Sequence, residues 1–283
     1  MDEKECIING IRFMSYTGVL DLFASKKNDK TIISSCYYHG ALKITRPIYL
    51  EEHSPSIYLI HVGGGYVNGD SYFTQIQVDD SAHLLVTTQS STKVYKTPTE
   101  PVRQQTKIKL GFGSVLEYIP DSLIAYEDAR FIQETEVEME RDSCFFYSDI
   151  ITPGWAKDGS FFKYEWIRSK LRIYRDGQLV LFDHLFLEPD HQMNGIMQME
   201  GSTHIGTFIL IHEQVNKKFL DKLYSHLIGN FPDVHLGLSG LPDQGGILRL
   251  LANHSGIMEA VIAEAQTFSR RVLLNKESVL WRK

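Results

Sequence analysis

Short runs that alternate apolar and polar residues fill the chain from Gly10 to about Leu187 and predict β-strands. Most runs are roughly five to ten residues long and rich in Val, Ile, Thr, Tyr and Phe, and turn sequences such as Val-Asp-Asp-Ser separate them. No repeat of fixed period is present, so the pattern favours a sandwich, a barrel or a β-solenoid without regular repeats. The predicted strands are Thr31–Tyr38, Ser56–Val62, Ser71–Val78, His83–Thr88, Thr106–Leu110, Ser114–Ile119, Ala129–Met139, Cys144–Ile151, Phe161–Ser169, Lys170–Arg175 and Gln178–Leu187.

The carboxy-terminal third changes to helical spacing of its apolar residues. Amphipathic helices are predicted over Glu213–Ile228 and Ile257–Leu274, with two short strands, Val234–Ser239 and Gly246–Ala252, between them. No linker rich in Pro, Gly or Ser separates the parts. The expected architecture is therefore one mainly β domain over residues 1–283, β-rich over 1–190 and mixed over 191–283, with two carboxy-terminal α-helices.

Composition and charge narrow the classes of partner and compartment. The 283 residues carry a formal net charge of −6 and no run of basic residues, so nucleic acid is not an expected partner. No apolar run approaches the ~20 residues that span a bilayer, and the acidic amino terminus does not resemble a secretory signal, so no membrane partner is expected. Cys6, Cys36 and Cys144 are widely spaced and odd in number, which argues against disulfides. We expect a cytoplasmic protein.

A glycine-rich turn follows the strand that ends near His61. It lacks the spacing of a nucleotide-binding loop, and the next segment alternates like a strand, so phosphate binding is a poor prediction. Two interpretations remain: glycines that supply unusual backbone angles in a turn, or a binding role built on that turn with Asp70 as its acidic member. The turn glycines are Gly63, Gly64, Gly65 and Gly69.

A run of small hydroxyl side chains, Thr87 to Thr92, leads into Lys93 and Tyr95. An ordinary polar turn is the plain interpretation, because hydroxyls readily bond to nearby backbone groups. Ser90 to Lys93 also has the Ser-x-x-Lys spacing of acyl-transfer enzymes. Their companion motifs are missing from this chain, which weakens that alternative.

Two carboxylates, Asp149 and Asp183, interrupt strongly apolar predicted strands. An ionised carboxylate in such a place needs a partner or contact with water. Three interpretations stay open: an ion pair with Arg168, Arg172 or Lys170, the lining of a hydrated internal passage that attracts divalent cations, or a carboxylate pair in a hydrolase.

Eleven histidines are scattered without the helical i, i+4 spacing of a metal site, and no two cysteines are neighbours. A tight metal site is therefore not predicted. Weak, transient coordination by carboxylates and imidazoles remains possible.

Six short motifs occur in order along nearly the whole chain, and together they resemble the urease accessory protein D family, also called H. They include the glycine-rich turn to Asp70 and the Asp149 strand leading to Gly154. The motifs are Arg46-Pro47-Ile48-Tyr49, His61 to Asp70, Thr87 to Tyr95, Leu116 to Asp121, Asp149 to Gly159, and Leu280 to Lys283.

The resemblance implies a β-helix-like stack of strands with carboxy-terminal helices and no catalysis of its own. It implies a scaffold that joins the urease apoprotein to a helical accessory protein F and, through F, to a nickel-carrying GTPase G. A water-filled channel is the implied nickel route, with transient nickel and no tightly bound cofactor. The implied channel positions are Asp70, Thr92, Asp149 and Asp183.

One departure and one rival accompany the resemblance. Many family members carry Arg and Glu where this chain has Trp155 and Ser160, so the turn is expected to persist without that charge. The rival is a β-helical carbohydrate-active enzyme that uses Asp149 and Asp183 as a carboxylate pair in an open cleft. An enclosed position of both acids would favour the scaffold.

Overall fold

A computed structural model describes residues 16–189 and 199–281, and the backbone of a separate hairpin formed by β1 (Ile7–Ile8) and β2 (Ile11–Arg12). The helices are α1 (Lys217–Asn230) and α2 (Ser255–Ser269), and a π-helical turn, Arg270–Leu274, continues α2. The remaining strands are β3 (Gly18–Lys27), β4 (Lys30–Gly40), β5 (Leu42–Ile44), β6 (Ser56–His61), β7 (Ser71–Val78), β8 (His83–Thr88), β9 (Thr92–Val94), β10 (Val102–Leu110), β11 (Val115–Tyr118), β12 (Leu123–Ala125), β13 (Arg130–Met139), β14 (Cys144–Ile151), β15 (Trp166–Arg175), β16 (Gln178–Leu187), β17 (His204–Ile211), β18 (His235–Leu241) and β19 (Gly245–Ala252).

The chain winds alternately between two stacked sheets, as a β-solenoid does. The first sheet has the order β16-β15-β13-β10-β7-β3-β4, and the second has the order β18-β19-β17-β14-β11-β8-β6-β5, with β9 and β12 at its margin. Parallel pairs link β7, β10, β13 and β15 in the first sheet and β6, β8, β11 and β14 in the second. The prediction of a β-helix-like stack with two carboxy-terminal helices is confirmed.

The coils of the solenoid differ in length, which explains why the sequence shows no fixed period. Ser71 pairs with Arg103, Val102 pairs with Phe131, and Phe131 pairs with Ile167. Each step returns the chain to the same place in the sheet after a different number of residues. Variable loops at the corners absorb these differences, so the structural repeat leaves little trace in the sequence.

Two hydrophobic clusters hold the fold together. One lies between the sheets, and the other lies between the outer face of the second sheet and the two helices. Helix α1 begins where the Asn216 side chain accepts a hydrogen bond from the Phe219 amide, and it buries Phe219, Leu223 and Leu227. Helix α2 buries Met258 and Val261 against the same sheet. The predicted apolar faces of both helices are confirmed.

Four predicted strands, Ser71–Val78, His83–Thr88, Cys144–Ile151 and Gln178–Leu187, have the observed bounds. One prediction was wrong: Phe161–Ser169 and Lys170–Arg175 are not two strands, because Trp166–Arg175 forms a single strand. Strands β1, β2, β3, β5, β9, β12 and β17 were not predicted. Strand β17 ends in the uninterrupted apolar run of residues 208–211 because it lies between both hydrophobic clusters, so it lacks the alternation that identifies a half-buried strand.

No helix within residues 16–189 and 199–281 is long and apolar enough to cross a membrane.

A buried charged cluster fastens the end of α2 to the second sheet. Arg270 and Glu117 are both fully buried and form an ion pair. Glu117 also accepts a hydrogen bond from Gln266 at 2.6 Å and lies 2.8 Å from His83 Nε2. Burial lowers the pKa of the His83 imidazole, which favours its neutral form. Four side chains from β8, β11 and the α2 region are thus linked to one another away from water.

Lys276 extends this cluster toward the carboxy terminus. Its ammonium group contacts Glu51 at 2.8 Å and His83 Nδ1 at 2.8 Å, and Glu51 also pairs with Arg270. Burial and, to a lesser degree, the Arg270 charge lower the pKa of Lys276 to about 8. The cluster therefore ties the segment after α2 to the loop before β6.

Candidate functional site

A ladder of polar side chains crosses the inward face of the first sheet. Strands β7, β10 and β13 carry the same spacing of an aromatic or amide residue followed two positions later by Thr, so aligned residues form two rows. Ser169 continues the first row on β15. Polar groups facing the interior of a solenoid require partners or water. The rows are Tyr72–Gln104–Gln133–Ser169 and Thr74–Thr106–Thr135.

These rows border a cavity of about 170 Å³ between the two sheets, which has room for several waters. The second sheet contributes Tyr118, Tyr147 and Asp149 to its lining. Tyr66 packs its ring 4.0 Å from that of Tyr72 and donates a hydrogen bond to Gln104 at 3.0 Å. Phenol, amide and hydroxyl groups share this lining with apolar side chains, and its charged residues include Lys93 and Asp121 besides Asp149.

The glycine-rich turn forms one rim of the cavity. Gly64, Gly65, His61 and Lys93 line it there. The Tyr95 hydroxyl donates a hydrogen bond to the Gly64 carbonyl at 3.3 Å. The segment after the turn is a strand, as predicted, so no helix terminus is available for a phosphate.

Gly65 is required by close approach as well as by its backbone angle. Its φ is +155°, and an added Cβ would lie 2.6 Å from the Tyr95 ring and 2.9 Å from the Lys93 carbonyl oxygen. Gly64 also has a positive φ, +83°, but an added Cβ there meets no atom within 4 Å. Alanine at Gly64 would therefore introduce backbone strain alone, whereas alanine at Gly65 would introduce both strain and steric overlap.

We expect Gly65→Ala to lower the free energy of unfolding by about 3 kcal/mol or more, because strain and collision act together. Gly64→Ala is the matched control and should cost about 1 kcal/mol, which is the price of positive φ alone. Denaturant unfolding of both variants tests this. Equal losses would show that the approach of Tyr95 and Lys93 does not constrain the turn.

Asp70 holds the turn rather than lining the cavity. Its carboxylate accepts hydrogen bonds from the Val67 amide at 2.8 Å, the Tyr72 hydroxyl at 2.8 Å and the Thr17 hydroxyl at 3.0 Å. Tyr72 lies 3.0 Å from His61 Nε2, so Asp70 is connected to the cavity through one side chain. Burial lowers the pKa of His61, and the Asp70 charge opposes that shift.

Thr92 begins strand β9 and lines the cavity beside Ser90 and Ser91. The Ser91 hydroxyl is hydrogen-bonded to the Ser122 hydroxyl at 3.1 Å. The Ser-x-x-Lys segment thus leads into a strand, whereas acyl-transfer enzymes place that motif at the start of a helix. The geometry supports the polar-turn interpretation of this segment.

Asp149 lies at the inner end of the cavity on β14. It accepts a hydrogen bond from the Gln133 amide at 2.9 Å and keeps part of its surface accessible there. Burial raises the pKa of Asp149 to about 6, although Gln133 and the Arg249 charge oppose the shift. Near neutral pH the carboxylate is ionised at an energetic cost, and the carboxyl group is protonated in mild acid.

The raised pKa of Asp149 gives a stability prediction with a defined sign. A carboxyl whose pKa is higher in the folded state stabilises the fold below its unfolded pKa, and this contribution is lost as pH rises through about 6. Asp149→Asn should therefore gain stability relative to the parent protein at about pH 7.5, and the gain should shrink toward about pH 4.5. Urea unfolding at both pH values measures the difference. A gain independent of pH would contradict the raised pKa.

Asp183 on β16 forms an ion pair with Arg249 on β19, and the Arg249 guanidinium also donates to the Thr207 hydroxyl. The prediction that Arg168, Lys170 or Arg172 forms this ion pair was wrong. Alternation along β15 places these three side chains on the outer face of the sheet. Arg172 pairs there with Glu136 at 3.3 Å, and Lys170 lies 4.0 Å from Glu134.

A small second cavity of about 10 Å³ connects the two acids. It is lined by Asp149, Asp183, Arg249 and Thr207, and Asp149 also lines the larger cavity. This space holds one water at most. The polar interior thus runs from the glycine-rich turn through Asp149 to the Asp183–Arg249 pair near the sheet edges β16 and β18–β19.

No group of three or more His, Cys, Asp or Glu side chains that could hold a metal ion occurs among the residues that the structure describes.

The segment that contains Trp155 and Ser160 includes a turn after Gly154. Gly154 has φ +83°, and an added Cβ would lie 2.2 Å from the Ala125 carbonyl oxygen. The Trp155 ring is 53% exposed and packs 5.1 Å from the Tyr126 ring. Ser160 is held by Asp158, whose carboxylate accepts from the Ser160 amide at 2.9 Å. Trp155 thus makes an aromatic contact with Tyr126 in this segment.

The interior amides Gln104 and Gln133 and the interior Arg249 were not predicted from the sequence. Gln104 and Gln133 share a Gln-x-Thr spacing on successive coils, and this short repeat was a detectable signal. Arg249 interrupts the apolar run of β19 just as Asp183 interrupts β16, so the two could have been matched. Tyr118 and Tyr147 gave no comparable signal, since tyrosine is common in strands.

The fold and the interior define a two-sheet β-solenoid whose hydrophobic core encloses cavities lined in part by polar side chains and carboxylates. A model of the UreD urease accessory protein family matches residues 16–283, and the chain belongs to that family. It is 60% identical over 270 residues to a urease accessory protein UreD of Bacillus sp. (strain TB-90), covering 95% of this chain and 100% of that protein. It is 36% identical over 273 residues to the UreD of Staphylococcus epidermidis (strain ATCC 12228 / FDA PCI 1200), covering 95% and 98% of the two chains.

Proposed function

We propose that this chain is a non-catalytic scaffold in urease maturation that passes Ni²⁺ toward the urease apoprotein through the interior between its sheets. The observation that carries the proposal is the series of polar side chains from the glycine-rich turn to the two acids, along two cavities that share Asp149. Family membership supplies the link to urease. Nickel is here a cargo rather than a resident cofactor.

The lining suits transit better than storage. Oxygen donors from tyrosine, threonine and glutamine replace part of the hydration shell, and the acids lower the cost of bringing a divalent ion inside. Cys36 and Cys144, the cysteines within the described ranges, do not line the cavity, and Cys144 belongs to the cluster under the helices, so neither thiolate would retain the ion. Weak, sequential contacts let the ion move on.

The carbohydrate-active alternative is not supported by this geometry. A glycosidase needs two carboxyl groups at an open cleft that admits a sugar ring. Asp149 and Asp183 instead line a space of about 10 Å³ between the sheets, and Arg249 lines it with them.

The helical partner F and, through it, the GTPase G belong to the same proposal. Helices α1 and α2 border an open groove that is lined by Lys217, Lys218, Asp221, Lys222, Ser225, His226 and Phe268. Lys217 is paired with Asp221, and Lys218, Lys222 and the Phe268 ring fit an amphipathic helix with an acidic edge. We assign this groove to the F protein.

Charge reversal in the groove should weaken the complex with F. The double variant Lys218→Glu, Lys222→Glu changes only exposed side chains, so we expect a normal fold and at least about tenfold weaker binding. Lys157→Glu, Lys163→Glu makes the same charge change on a distant exposed loop and is the control. Pull-down titrations with purified F protein measure both. Unchanged binding by the groove variant would exclude this surface.

Deleting α2 is a poor test of partner binding. Met258, Val261, Ile262 and Ala265 are buried against the second sheet, so removing residues from Ile257 onward would expose the second hydrophobic cluster. Loss of the fold would then be mistaken for loss of an interface.

Reconstitution tests the proposed function directly. Urease apoprotein is incubated with F, G, GTP and Ni²⁺, with and without this chain, and the recovered urease is analysed for nickel. We expect nickel loading to depend on this chain. Equal nickel content without it would overturn the proposal.

A further inference from the structure

Arg249 occupies the position where two carboxylates face the same small space. Asp149, Thr207 and Arg249 are direct neighbours on β14, β17 and β19, and Asp183 reaches the same point from β16 in the other sheet. The guanidinium pairs with Asp183 and bonds to Thr207. The arrangement is carboxylate, cation, carboxylate, with the cation supplied by the protein.

We propose that Arg249 is a tethered substitute cation that closes the inner end of the polar passage until a divalent ion displaces it from between Asp149 and Asp183. This inference rests on the proposed function and concerns the regulation of the same interior. It goes beyond attraction of metal by acids, because it assigns the closing group and the exchange that opens it.

Charge and space both support the exchange. Two carboxylates and one guanidinium leave a net charge of −1, and a divalent ion in place of the guanidinium balances both acids. The free space of about 10 Å³ cannot hold a hydrated ion while the arginine is present. The Arg249 side chain is 35% exposed, so it can leave toward solvent at the sheet edge.

The Arg249 charge also acts on Asp149, whose pKa it lowers against the effect of burial, while the Asp183 charge raises it. The three groups therefore interact electrostatically as one unit. Removing the guanidinium should leave two acids that lack a cation and bind an added one.

Calorimetric titration of the purified chain with NiCl₂ tests the inference without any partner. The parent protein should bind weakly, whereas Arg249→Gln, which can still bond to Thr207, should bind Ni²⁺ about tenfold more tightly or better. Arg249→Met should behave alike. Adding Asp149→Asn to either variant should abolish the gain.

Arg172→Gln is the matched control. Arg172 pairs with Glu136 at comparable exposure on the outer face of the first sheet, where the neighbouring carboxylates are open to water and away from Asp149 and Asp183. It should leave nickel affinity unchanged. A gain in Arg172→Gln equal to that in Arg249→Gln, or no gain in two folded Arg249 variants, would overturn the role of Arg249.

A second arm keeps this outcome separate from that of the proposed function. In the urease reconstitution, Arg249→Gln should lower nickel transfer because the ion is retained. If the parent protein supports no transfer at all, the proposed function fails, while the calorimetric comparison still decides whether Arg249 substitutes for a cation.

Discussion

Replacing Arg270 by Met should lower the free energy of unfolding by about 3–5 kcal/mol, because it leaves buried charge without its partner. Arg270 and Glu117 are both fully buried, and Arg270 also pairs with Glu51. Methionine fills similar space, so the loss comes from the unpaired acids rather than from a cavity. Denaturant unfolding followed by circular dichroism measures it.

Arg271→Met is the natural control for that variant. Arg271 is the next residue, its side chain is 58% exposed, and its contact with Glu277 at 3.4 Å is open to water. Exposed pairs contribute about 0–1 kcal/mol, so Arg271→Met should leave the free energy of unfolding nearly unchanged. Similar losses in both variants would mean that the π-helical turn, and not the buried cluster, governs stability here.

The cluster has a consequence for the partner surface. It fixes the end of α2 to the second sheet through Glu117, while α1 packs on the same sheet through Phe219 and Leu223. Both helices that border the groove are thus fixed to the second sheet. A site held on fixed elements loses less entropy when a partner binds.

Local patterning predicted the elements better than it predicted their neighbours. Strands β7 and β16 were found to the residue because their alternation reflects one buried and one exposed or polar face. The pairing of Asp183 with Arg249 was missed, because the two residues lie 66 positions apart and in different sheets. Sequence spacing carries no information on contacts across the stack.

The interior was only partly predictable for the same reason. Asp149 was recognised because an acid in an apolar strand has few explanations. Gln133, which donates to Asp149, was not recognised, because glutamine within a polar segment is unremarkable until the register aligns it with Gln104 and Tyr72. These residues form a row because the parallel register of the strands aligns them, and that register is known only once the strands are paired in the fold.

Asp149 and Asp183 should both be needed for nickel delivery. Asp149→Ala and Asp183→Ala should each lower the nickel content of reconstituted urease several-fold while leaving the accessory complex assembled. Removing either acid takes away cation stabilisation inside the passage without touching the helical groove. Nickel per urease, soluble yield and complex assembly are measured on the same preparations.

Soluble yield separates transport from stability. Removing one partner of a fully buried ion pair would lower the free energy of unfolding by about 3–5 kcal/mol. The soluble yield of the variant would then fall, whatever its effect on nickel transport. Asp183 and Arg249 are 23% and 35% exposed, so water can solvate the arginine that remains, and the loss should stay below that of a fully buried pair. Normal yield with low nickel therefore supports the passage. Normal yield with normal nickel in both single variants and in the double variant would remove these acids from it.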